Sequence, residues 1–151
     1  MSSRAPADSG KPGSAYPYSL SAVGVAVGEV LADKYRIEEV LASGGMGIVL
    51  RATHLELECS VAIKVMRAEH VAHEEVVLRL MAEARVAAGL RSKHVNRVLD
   101  VGRTPAGVPY LVLEYLEGSD LAQYLTRSGR LAVSELCDYV LQACEALAEA
   151  H

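Results

Sequence analysis

From Tyr35 onward, hydrophobic and polar positions alternate between a strand rhythm and a helix rhythm. Tyr35, Ile37, Glu39 and Leu41 fall on one face of a strand that runs into Ser43-Gly44-Gly45. A second apolar run, Gly47 to Thr53, follows at once, so the two strands and their glycine-rich turn predict a hairpin. Cys59 to Arg67 predicts another strand, with Val61, Ile63 and Val65 on one face and Ala62, Lys64 and Met66 on the other. From Glu74 to Leu90 the period becomes helical, because Val77, Leu80, Met81, Ala84, Ala87, Ala88 and Leu90 recur at that spacing. Strands return at Val95 to Val101 and Pro109 to Tyr115, joined by a turn around Pro105-Ala106-Gly107. Asp120 to Thr126 predicts a short helix stopped at Gly129, and Val133 to Ala150 a long amphipathic one. The apolar stripe of that last helix is Val133, Leu136, Val140, Leu141, Cys144, Leu147 and Ala148. Left without partner helices, such a stripe favours association.

Residues 1–28 are rich in Ser, Ala, Gly and Pro, lack a sustained period and predict a disordered tail. Elsewhere the chain can build a sizeable core, since 51% of it is hydrophobic, but with neither Trp nor Phe the filling must be Leu, Val, Ile, Met and Tyr. A net charge of −4 without a compensating basic block argues against a nucleic-acid partner. Cys59, Cys137 and Cys144 form no Cys-x-x-Cys pair and suit no metal site; they read as reduced thiols, buried as small hydrophobes in a cytoplasmic protein. No apolar run reaches the roughly 18 residues of a membrane span. The stretch Ala22 to Leu31 is interrupted by Gly24, Gly28 and Glu29, so no signal peptide is expected either.

The first chemical signal is Leu41-Ala42-Ser43-Gly44-Gly45-Met46-Gly47-Ile48-Val49. Phosphates need backbone N–H donors at close range, and glycines permit both the approach and the backbone angles. A glycine cluster alone fits a plain hairpin turn equally well. A Walker A loop is excluded because no Gly-Lys-Ser/Thr triplet occurs, and a dinucleotide fingerprint because the glycines lead into a strand, not a helix.

The second signal is Val61-Ala62-Ile63-Lys64. A lysine within an apolar strand is costly unless its ammonium meets an anion, or unless it reaches solvent from an edge. Ala62, on the same face, is small enough to leave room for a flat ring. Glu83, inside the following helix in Glu-Ala-Arg, is a carboxylate that could hold Lys64, although an exposed helix glutamate is the plainer reading and Glu74 and Glu75 are rivals.

With these motifs and Tyr110-Leu111-Val112-Leu113-Glu114-Tyr115-Leu116 in this order, the chain from about Glu29 to His151 resembles the bacterial Hanks-type Ser/Thr protein kinases, whose glycine loop often reads Gly-Gly-Met-Gly as Gly44 to Gly47 do. The resemblance implies an α+β fold: a five-stranded antiparallel sheet with one long helix (a kinase N-lobe), then two helices of an incomplete C-lobe. It implies a tail over 1–28, an N-lobe and hinge over 29–116, and the start of the C-lobe over 117–151. It also implies an ATP site. Leu41, Val49 and Ala62 would sandwich the adenine, and Ala42, Ser43, Gly44, Gly45, Met46 and Gly47 would form the loop over the phosphates. Lys64, paired with Glu83, would contact the α- and β-phosphates. Leu113 would be the gatekeeper, and the Glu114 carbonyl and Leu116 amide would bind the adenine edge. Asp120 would touch the ribose, or else serve only as a helix N-terminal charge. Ala42 stands where the family usually has its first loop glycine, a departure that lowers the expected nucleotide affinity.

Intact relatives transfer phosphate from ATP to protein Ser/Thr with Mg²⁺, using a His-Arg-Asp loop and an Asp-Phe-Gly motif. These 151 residues contain neither motif; Phe is absent altogether. The expectation is therefore a truncated ATP-binding portion of a kinase, with no catalytic residues, no metal ligands and no activity alone. The alternative is a lobe-only pseudokinase that binds nucleotide or a protein without catalysis.

Overall fold

In the computed structural model, the described residues are 25–45, 47–71 and 74–151. They form a six-stranded antiparallel sheet and four helices. The strands are β1 (Val30–Leu31), β2 (Tyr35–Ser43), β3 (Gly47–His54), β4 (Cys59–Met66), β5 (Val98–Arg103) and β6 (Pro109–Glu114), in the spatial order β1-β2-β3-β4-β6-β5. The helices are α1 (Ala68–Val71), α2 (Glu74–Gly89), α3 (Leu121–Ser128) and α4 (Val133–Ala150).

The sheet has one strand more than the five expected. Ala32 and Asp33 both take positive φ, 52° and 57°, and fold the short β1 back onto β2. Paired positive φ values give the hairpin turn whose twist matches its strands. Neither residue is a glycine, so the turn left no glycine signal in the sequence.

β2 also departs from the expected alternation. Tyr35 and Ile37 are buried, but Glu39 and Leu41 are exposed, and half-buried Val40 packs against the core instead. The pairing with β3 shifts between Ile37 and Glu39. An extra residue in one strand inverts the faces beyond it, until a second shift, between Val40 and Ala42, restores them.

The core lies on one face of the sheet, built from Ile37, Ile48, Leu50, Val61, Ile63, Val65 and Val112, with Leu31, Tyr35, Val108 and Tyr110 closing it. α2 lies against β5 and buries Val77 and Ala84, while Leu80 packs onto the core cluster. The apolar stripe of α4 is exposed: Val133 is 78% accessible, Leu141 61% and Leu147 67%. All three cysteines are exposed and free, contrary to the expected burial. Cys144 lies on that uncovered stripe, Cys137 is on the same helix, and Cys59 opens β4 beside a turn.

Candidate functional site

The strand register assembles the site on the sheet face opposite the core cluster. Residues paired across an antiparallel sheet point to the same side. One such row runs Ala42–Val49–Lys64–Leu111 and the next Arg51–Ala62–Leu113. Val49, Ala62, Lys64 and Leu113, widely separated in sequence, therefore share one surface. Ala62 is 7% exposed, and Lys64, Val49 and Leu113 are half-buried. Leu41 and Ala42 lie exposed on β2 at the rim.

The glycine hairpin joins β2 to β3 just beyond the first of these rows. The Gly44 N–H donates to the Gly47 carbonyl at 2.9 Å. A Cβ added at Gly44 or Gly45 would meet nothing within 4 Å, so the backbone there faces open space that a phosphate could approach. Gly47 has a different reason to be glycine. It pairs with Met66, and a Cβ would run into the Val65 carbonyl oxygen. Its role is close strand crossing, with any phosphate contact secondary. Ser43 is half-buried with its hydroxyl oxygen unpartnered. Met46 lies outside the described residues.

At the opposite end, Glu114 is fastened to the chain before β5. Its N–H donates to the Arg97 carbonyl at 3.0 Å, and its carboxylate accepts the Arg97 N–H at 3.2 Å. Leu116 is 63% exposed, and its N–H has no partner among the described residues. Asp120 is the N-cap of α3: one carboxylate oxygen accepts the Gln123 N–H at 2.7 Å and the other the Gln123 side-chain amide at 3.2 Å. Its plainer reading, a helix-capping residue, accounts for both oxygens.

The structure does not close the expected Lys64–Glu83 pair. Among the described residues neither side chain forms an ion pair within 4.0 Å. Glu83 is exposed, because the positions α2 turns inward are Val77 and Ala84. Val49, Ala62, Lys64 and Leu113 share their surface without it.

Five interactions had not been expected from the sequence. Arg51 pairs with Glu39 at 2.9 Å in the row beside Ala62. Arg67 donates from Nε to the Gly44 carbonyl at 3.0 Å. On α4, Glu149 accepts the N–H groups of Arg91 and Ser92, each at 2.7 Å, and Glu145 lies 3.2 Å from His94. Only Arg67 carried a usable signal: a basic residue just after the strand that pairs with the hairpin.

The protein kinase domain family matches residues 35–151. The chain belongs to that family. Among curated kinases it is 38% identical to the serine/threonine-protein kinase pkn3 of Myxococcus xanthus, over 83% of this chain and 23% of that protein. It is 36% identical to PknB of Mycobacterium tuberculosis, over 80% of this chain and 20% of that one. The kinase domain of PknI from Mycobacterium tuberculosis superposes with a TM-score of 0.73 at 29% identity, covering 84% of this chain and 51% of that structure. The chain thus spans less than a third of the length of these curated relatives. Its fold is a kinase N-lobe with the start of a C-lobe.

The donor set fits a nucleotide better than a metal. Open glycine backbone, a lysine on an apolar strand and a small Ala62 suit phosphates and a flat base. Among the described residues no group of three or more His, Cys, Asp or Glu could hold a metal ion. No helix among them is long and apolar enough to cross a membrane.

Proposed function

We propose that these 151 residues form the ATP-binding portion of a serine/threonine protein kinase. One observation carries the reading: the register that sets Lys64 between Val49 and Leu111, in the row that the glycine hairpin follows and next to Ala62–Leu113. In this reading Val49, Ala62 and Leu41 flank the adenine, Leu113 stands behind it, and the Glu114 carbonyl and Leu116 N–H bind its edge. The Lys64 ammonium meets the phosphates. Positioning and charge stabilisation dominate phosphoryl transfer, so a site that only cradles ATP leaves the reaction unpromoted. With no His-Arg-Asp or Asp-Phe-Gly sequence in the 151 residues, they bind ATP without transferring its phosphate. In a longer kinase the same cradle would serve transfer to protein Ser/Thr, with Mg²⁺ held by other residues. A cytoplasmic location belongs to this proposal.

Thermal denaturation of the 151-residue chain with and without ATP tests it. The midpoint should rise with ATP, and the rise should be clearly smaller in Lys64→Ala at the same ATP concentration. No rise in the wild-type chain, or an equal rise in the variant, would refute the assignment. Incorporation of labelled phosphate into a generic protein substrate by the chain alone would refute the inactivity.

A further inference from the structure

We propose that Arg67 is a positioning residue for the glycine hairpin, fixing the peptide plane that faces the phosphates; this rests on the nucleotide reading above. Arg67 directly follows β4, and its Nε donates to the Gly44 carbonyl across 23 positions of chain. The Gly44 N–H is already committed to the Gly47 carbonyl. Both polar groups of Gly44 are therefore tied down, at a residue whose own conformational freedom is otherwise large. The described residues contain no cis peptide, and a trans peptide holds its C=O and the next N–H antiparallel. Turning the Gly44 carbonyl toward Arg67 thus fixes the direction of the Gly45 N–H.

The planar guanidinium is suited to this task. Its fork of donors is rigid, so orienting one N–H orients the group. Arg67 also reaches Glu69 from Nη1 at 3.4 Å, a longer contact than the 3.0 Å to Gly44. The Arg67 side chain is only 20% exposed, against 67% for Glu69. The shorter of the two, to Gly44, is the stronger candidate for holding geometry.

The test compares wild type, Arg67→Met and Glu69→Gln as 151-residue chains, measuring calorimetric affinity for ATP and for adenosine, and amide hydrogen exchange across residues 43–47 without ligand. The expected result is a loss of about fivefold in ATP affinity for Arg67→Met, with adenosine affinity unchanged and faster exchange in the hairpin. Glu69→Gln should match wild type. Equal losses for ATP and adenosine, no loss for ATP, or the same loss in Glu69→Gln would each overturn the inference. If wild type binds neither ligand, the nucleotide reading fails by itself, and unchanged hairpin exchange in Arg67→Met would then overturn the positioning role separately.

Discussion

The carboxylate of Glu149 accepts the backbone N–H of Ser92 at 2.7 Å, joining the last turn of α4 to the segment that follows α2. The same carboxylate accepts the Arg91 N–H, and one turn earlier Glu145 meets His94. α4 buries none of its apolar stripe, so these polar ties, not packing, set where it sits. Replacing Glu149 by Ala should cost about 1 kcal/mol in urea denaturation, below the roughly 1.5–3 kcal/mol of charged hydrogen bonds because the site is exposed. Amide exchange at Arg91 and Ser92 should accelerate. Unchanged exchange would show that α4 is held by something else.

Lys64 and Glu83 should respond differently to substitution. Lys64 sits on the row that faces the proposed nucleotide, whereas Glu83 is exposed and unpaired with it. Lys64→Met is expected to weaken ATP binding by about tenfold, one charge-assisted contact, in a calorimetric titration. Glu83→Gln should change it by less than about twofold, as for an exposed charge. A large loss in Glu83→Gln would mean that the pair closes when nucleotide binds.

The glycines of the hairpin divide by what surrounds them. At Gly47 a methyl group would meet the Val65 carbonyl, which cannot yield without breaking the β3–β4 crossing. Gly47→Ala should destabilise the chain by about 1–3 kcal/mol, the range for steric overpacking. Gly45 has open space around it, so Gly45→Ala should fall within about 1 kcal/mol of wild type. Chemical denaturation of both variants checks the contrast, and equal losses would contradict it.

Much of this fold was legible because its strands and helices have strong local periods. β4 was expected at Cys59 to Arg67 and is found at Cys59–Met66; the expected bounds of α4, Val133 and Ala150, are those observed. The resemblance implied that Val49, Ala62, Lys64 and Leu113 serve one site, and the strand register sets them on one surface. What escaped was non-local. The bulge in β2 exchanges the faces of Glu39 and Val40, and no period within the strand announces it. β1 depends on a turn at Ala32-Asp33 that lacks its usual glycine. The exposure of Glu83 depends on how α2 docks on β5, which side-chain spacing along one helix does not encode.

Tyr35 gives a prediction in pH. It is 3% exposed, and its hydroxyl donates to the Asp100 carboxylate at 2.9 Å, with the Lys34 ammonium 4.0 Å from the same oxygen. Burial first, then the hydrogen bond to Asp100 and its charge, push the Tyr35 phenol well above its usual value of 10.0. The folded state thus favours the neutral phenol, and its contribution is complete below the unfolded value. Above about pH 10 the unfolded chain loses this proton first, so stability falls as pH rises toward the folded value. Tyr35→Phe should cost about 1 kcal/mol at neutral pH, a hydrogen bond lost from a buried site. Because Phe has no proton to release, the gap between wild type and variant should narrow above pH 10. A gap that stays constant to pH 11 would show that this phenol does not govern the alkaline limb.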